Sequence, residues 1–182
     1  SSTPVGHSAT VNWEMNGDLN YSVDGTFQII ISQVPVMMEE DFSGAFPPTG
    51  WTTAGGNNWQ QGTGSNAGGT APEARFYWSP STTAAQRLIS PIMNTMGSQS
   101  LQLSFRHYLD HFSGAYSIKV QTTSNGSTWN DAWSIVNPSG NVGPELIEID
   151  VTTPDVGSAD FQIAWVFDGY SWNINNWYVD DI

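Results

Sequence analysis

Short stretches of strict two-residue alternation, each closed by turn formers, constrain this chain more than any other feature. Leu101-Gln102-Leu103-Ser104-Phe105 and Tyr116-Ser117-Ile118-Lys119-Val120 place apolar side chains on one face and polar ones on the other. Gly, Asn, Ser, Thr and Pro punctuate the chain between such runs, and no segment carries the apolar spacing of a helix. Strands are expected near 73–78, 86–93, 99–109, 115–123, 132–136, 145–151, 160–168 and 176–182. Regular short strands of this kind predict an all-β fold, a two-sheet antiparallel β-sandwich of the jelly-roll type. The 182 residues suffice for one such sandwich and a small additional piece.

That piece is residues 1–37. Residues 9–15 alternate and are followed by Asn16-Gly17, a hairpin signal, and residues 26–33 read as a second strand broken by Pro35. The segment is too short for a core of its own. It is either the tail of a preceding immunoglobulin-like domain, a β-hairpin that packs on the main body, or an assembly segment. The main domain spans 38–182. Within it, residues 44–50 form a rigid turn, and the Gly/Asn/Ser/Thr-rich stretch from Gly55 to Pro72 is expected to be a long surface loop.

Lys and Arg number 4 against 17 Asp and Glu, a formal charge of −13. Such a surface repels phosphate backbones and anionic lipid, so nucleic acid is excluded as a partner. No apolar run approaches the ~18 residues that a membrane-spanning helix needs, so no direct membrane insertion is expected. There is no cysteine, which removes disulfides, thiolate metal sites and cysteine nucleophiles. These features suit an extracellular or cell-surface protein of a prokaryote, in a calcium-rich exterior. The chain opens on Ser1-Ser2-Thr3-Pro4, as a mature form or an excised piece would.

The closing stretch Asn175-Asn176-Trp177-Tyr178-Val179-Asp180-Asp181-Ile182 reads as a last strand ending in an acidic pair, and Glu39-Glu40-Asp41-Phe42 opens an early strand with three carboxylates. First and last strands of a β-sandwich often lie side by side. Convergence of Glu39, Glu40, Asp41, Asp180 and Asp181 on one edge would call for a cation, and Ca²⁺ with its six to eight oxygen ligands fits best. Alternation sends Asp180 and Asp181 to opposite faces, so one of the two would point inward. Asp168, at the end of the preceding strand, is a further candidate. The alternative is a set of solvated charges at strand ends.

Arg75, Arg87 and Arg106 lie within or beside apolar segments, and each is expected to have a carboxylate partner. His107 and Asp110, with His111, offer an imidazole and a carboxylate close in sequence, although the spacing matches no zinc motif. Nucleophile elbows and phosphate-cradling loops are absent, so no catalytic residue is assigned. Among nine tryptophans, Trp165 and Trp177 are expected in the core, whereas Trp51, Trp59, Trp129 and Trp172 fall in or beside loops. Tyr170-Ser171-Trp172-Asn173 is the best candidate platform for stacking on a sugar face. The other reading of these loop-side rings is as plugs closing the end of the core.

Several stretches in order resemble one family. They are Glu40-Asp41-Phe42-Ser43-Gly44, Phe46-Pro47-Pro48-Thr49-Gly50-Trp51-Thr52, Asn57-Asn58-Trp59, Gly68 through Arg75, Arg87-Leu88-Ile89-Ser90-Pro91, Ser124 through Trp129, and Trp177 through Ile182. Residues 39–182 thereby resemble the cleaved-adhesin, or choice-of-anchor J, domains, which are distantly similar to MAM domains. The resemblance implies a jelly roll, often Ca²⁺-bound, that serves as an adhesive, glycan-binding or structural module of a larger secreted protein. Two positions depart from the family pattern, Ser43 where relatives often carry an acid and Asn125 where Asp is usual. The expected function is a non-catalytic adhesion or surface-attachment module that binds a surface glycan or protein. A carbohydrate-binding module of a secreted hydrolase is the first alternative. The second is a filament subunit whose partners are neighbouring copies of itself, joined by strand addition.

Overall fold

A computed structural model describes residues 7–17, 21–31 and 35–182. The chain divides into two compact units, Ser1–Met37 and Met38–Ile182. In the first, strands β1 (His7–Gly17) and β2 (Tyr21–Ile31) form a two-stranded antiparallel ribbon, from His7 opposite Ile31 to Gly17 opposite Tyr21. The Asn16-Gly17 pair therefore ends β1, and the connection itself falls on 18–20, outside the described residues.

The second unit is an all-β sandwich. Its strands are β3 (Thr52–Ala54), β4 (Trp59–Gly62), β5 (Glu73–Tyr77), β6 (Gln86–Ile89), β7 (Leu101–His111), β8 (Tyr116–Thr123), β9 (Asn130–Val136), β10 (Val142–Val151), β11 (Gln162–Gly169) and β12 (Ile174–Asp180). One five-stranded sheet runs β10-β7-β12-β5-β4 and the other β3-β6-β11-β8-β9, with every pairing antiparallel. A single 3₁₀ turn, Ser171–Asn173, precedes β12.

Alternation decides the faces. Leu103, Phe105, His107 and Leu109 of β7 point into the core, as do Ile163, Trp165 and Phe167 of β11, while the intervening residues of β7 face outward. The two sheets meet ring on ring. Phe76 of β5 stacks on Phe167 of β11 at 4.4 Å, and Phe105 and Trp51 both contact Trp165, at 5.7 and 5.8 Å. Truncation of such a buried ring costs about 3–5 kcal/mol.

The stretch 55–72 is only in part the surface loop that its composition suggests, with residues 63–72 irregular and mostly exposed. It contains β4, and Asn58, Trp59 and Ala67 are buried within it. The reason is the Asn58 side chain, whose amide donates to the carbonyls of Tyr77 and Pro80 at 2.7 and 2.9 Å. Gln86 then donates to Asn58 Oδ1 at 2.7 Å, which leaves the amide satisfied inside the protein. Trp51, just before β3, and Trp59, at the start of β4, are buried in the core, as the plug reading expects. Strand β3 likewise has no counterpart in the sequence expectation. The stretch Glu39–Phe42 forms no extended strand, yet Glu40 exchanges two backbone hydrogen bonds with Ile182, each 3.0 Å. The early and final segments of the sandwich thus lie side by side.

Candidate functional site

The acidic seam follows from that pairing. Asp180 lies on the outward side of β12, opposite Arg106 of β7, and is nevertheless fully buried. Neither of its carboxylate oxygens has a hydrogen-bond partner. Burial pushes its carboxyl up to about 7, and the charges of Asp181, Glu73 and Asp41 push the same way. What buries it is the segment between β4 and β5. The carboxylate of Glu73 draws that segment inward, accepting from Asn66 N at 2.9 Å, Asn66 Nδ2 at 2.6 Å and Ala67 N at 2.8 Å. The backbone then crosses so close above the seam that a Cβ at Gly69 would collide with both Asp180 and Asp181.

The other acidic candidates divide. Asp181 accepts from Arg106 Nε at 3.1 Å. Glu40 and Asp41 each use one oxygen on a local backbone N–H, of Phe42 at 2.7 Å and Ser43 at 3.0 Å, and the Ser43 contacts lower the Asp41 pKa. Glu39 is exposed. Asp168 sits on the other sheet, 3.1 Å from Lys119 Nζ, and does not join the seam. Glu73 joins it, although its place at the start of a strand gave no signal of this.

Among the described residues, no three His, Cys, Asp or Glu side chains stand at metal-binding spacing. A buried, unpartnered carboxylate within reach of the charges of Asp181, Glu73 and Asp41 is chemistry that a hard cation would complete. The further oxygens that calcium needs would come from backbone carbonyls and water.

His107 and Asp110 do not form one cluster, because three positions along β7 separate opposite faces. His107 is buried in the core beside Trp133 and Phe105, with Nε2 3.2 Å from Glu145 Oε1. Burial lowers its pKa, and Glu145 opposes that. Asp110 faces outward and accepts from Asn175 Nδ2 at 3.1 Å, while His111 Nδ1 lies 2.9 Å from the Tyr116 hydroxyl. Of the three arginines, only Arg106 has a carboxylate within ion-pair distance among the described residues. Arg87 donates to Gln121 Oε1 and covers the Trp129 ring, and Arg75 lies over Tyr77 at 5.1 Å.

The 3₁₀ turn presents the aromatic candidates. Ser171 is its anchor: its hydroxyl donates to Trp78 O at 2.8 Å and accepts from Thr82 N at 2.9 Å, and its N–H donates to Thr82 O at 2.9 Å. Tyr170 and Trp172 flank this buried serine and are 45% and 47% exposed, so they are not plugs of the core. Trp172 stands edge-on to Trp78 at 4.8 Å and near Phe112, itself 55% exposed, at 6.4 Å. Phe112 and Trp78 escaped the sequence reading, because only the fold brings 78, 112 and 172 together.

No protein-family model matches the chain, and no curated protein matches it in sequence. Solved structures do. The K1 cleaved adhesin domain of Lys-gingipain from Porphyromonas gingivalis W83 superposes with a TM-score of 0.59 at 13% identity, over 81% of this chain and 96% of that one. The K3 domain of the same protein gives 0.55 at 16%, over 80% and 94%. The module TmCBM61, solved in complex with β-1,4-galactotriose, gives 0.52 at 15%, over 76% and 88%. At such identities the likeness establishes architecture: the chain shares the β-sandwich fold of these adhesin domains and of this carbohydrate-binding module.

Proposed function

We propose that residues 38–182 form a non-catalytic extracellular module of the cleaved-adhesin kind, which attaches its protein to a surface by binding glycan. The observation that carries this reading is the pair of half-exposed rings, Tyr170 and Trp172, held in place by Ser171 and Trp78. An indole fixed from beneath offers a flat apolar face to the C–H groups of a sugar at little ordering cost. The fold likeness to adhesin domains and to a carbohydrate-binding module supports the same reading.

Calcium has a structural part in this proposal. Asp180 would be its central ligand, with Asp181 and Asp41 beside it and the backbone of the segment at Gly69 overhead. A bound dication would supply the charge that lets the buried carboxylate ionise. A glycan array probed with calcium-loaded protein tests the whole reading. Binding to at least one glycan class, lost in Trp172→Ala at unchanged melting temperature, is expected. Silence across the array would refute it.

One observation favours a second use of the chain. The β1–β2 ribbon pairs with no third strand among the described residues and exposes Trp13 and Phe27. Its unpaired edges suit strand addition between copies. Concentration-dependent polymer growth that stops on deletion of residues 1–37 would establish that role.

A further inference from the structure

The exposed rings at the 3₁₀ turn continue onto the outer face of the β10-β7-β12-β5-β4 sheet. Trp172 contacts Trp78, Trp78 lies 5.5 Å from Tyr77, and Tyr77 carries the Arg75 guanidinium over its ring. Arg75 is the register partner of Tyr178, and Tyr178 stacks on Tyr108 at 6.1 Å with the rings 15° from parallel. Strand alternation puts Tyr108, Tyr178, Arg75 and Tyr77 on the solvent side of the sheet. The result is two groups of rings, at the end of the sandwich and in the middle of one face, bridged by Arg75.

Polar groups of both kinds interleave with them. Arg75 has no ion-pair partner among the described residues, and its Nε has no hydrogen-bond acceptor. Asn176 lies in register between Asp110 and Tyr77, and its Oδ1 has no donor. Arg75 and Asp110 therefore stand on the same face as the stacked tyrosines, with Nε of Arg75 and Oδ1 of Asn176 buried beneath the surface.

We propose that this track binds an internal stretch of an extended, uncharged polysaccharide. The inference rests on the glycan reading above and adds the site's length and the ligand's charge. Sugar rings lie along aromatic faces, and their hydroxyls use a donor and an acceptor together, which Arg75 and Asp110 supply. A polyanionic glycan would satisfy Arg75 alone. It would also approach Asp110, Glu73 and Asp181 on a chain of net charge −13. Recognition spread along a track also means that no single terminal sugar makes all the contacts.

Affinity gel electrophoresis of the calcium-loaded chain tests this, with galactan, xylan, mannan and β-glucan as neutral probes and polygalacturonate as the anionic one. Retardation by at least one neutral polymer is expected. Its hexasaccharide should bind at least about tenfold more tightly than its disaccharide. Tyr178→Ala and Trp172→Ala should each weaken binding about tenfold or more, and Tyr178→Phe should retain most of it. Arg75→Met, which keeps the side-chain stem, serves as a second variant should Tyr178→Ala melt early. Retardation by polygalacturonate alone would overturn the proposal, as would equal affinity for disaccharide and hexasaccharide. Loss in Trp172→Ala with none in Tyr178→Ala or Arg75→Met would also overturn it, while leaving the glycan reading intact.

Discussion

The two sheets of the sandwich have outer faces of opposite character. On the β3-β6-β11-β8-β9 sheet, the charged groups satisfy one another. Lys119 lies between Asp168 and Asp131, Arg87 donates twice to Gln121, and Gln121 donates to Asp131 at 2.6 Å. On the other sheet, Arg75 Nε, Asn176 Oδ1 and both oxygens of Asp180 are buried without partners. A buried polar group left unpaired costs on the order of 1–3 kcal/mol, so a protein keeps few without a reason. One face satisfies its charged groups within itself, and the other keeps unpaired polar atoms beneath its surface.

The sharpest way to break this comparison is pH. In the metal-free protein, the Asp180 carboxyl is raised from an ordinary carboxylate value to about 7. Between about pH 4 and 7 the native state then holds a proton that the unfolded chain has released. Stability therefore falls as pH rises through that window and levels off above it. The loss is on the order of 4 kcal/mol, at 1.36 kcal/mol per pH unit. Asp180→Asn should remove this slope from the difference between the two melting curves, and identical pH profiles for both proteins would refute the assignment. Above pH 7, metal-free Asp180→Asn should be the more stable of the two.

Calcium comes next in size. At a hundredfold excess over its dissociation constant, it should stabilise the native chain by about 2.7 kcal/mol and leave Asp180→Asn unchanged. A melting temperature indifferent to EDTA would show that the seam holds no calcium. Smaller still, Trp172→Ala should weaken glycan binding by about 2 kcal/mol, the scale of an interface anchor, without changing the calcium response. Smallest is the self-satisfied face. Lys119→Met should change stability by no more than about 1 kcal/mol and glycan binding not at all, because its ion pairs are partly exposed. Loss of glycan binding in that variant would dissolve the contrast between the faces.

The sandwich itself was legible because alternation is local: a period of two in 101–105 or 116–120 needs no knowledge of the rest of the chain. The juxtaposition of Glu40 with Ile182 was legible as well, because the first and last strands of a β-sandwich often lie side by side. What escaped was whatever one side chain decides at a distance. Asn58 turns a glycine-rich stretch into buried structure through carbonyls some twenty residues away. Glu73 folds the same stretch over Asp180 through three hydrogen bonds. His107 and Asp110 looked like one cluster because sequence distance hides which side of a strand each residue takes. Arg75 was expected to have a carboxylate partner and has none among the described residues.

The two backbone hydrogen bonds between Glu40 and Ile182 also decide how the module meets force. Antiparallel pairing puts residue 38 and residue 182 at the same end, so a tether pulling on both peels the segments apart instead of sliding them past each other. Peeling loads the bonds one after another and is the weak direction of a β-pair. Asp41 and Asp180 sit on the two peeling segments, immediately beyond that first pair. A cation shared between them would tie the two segments together and resist that first step.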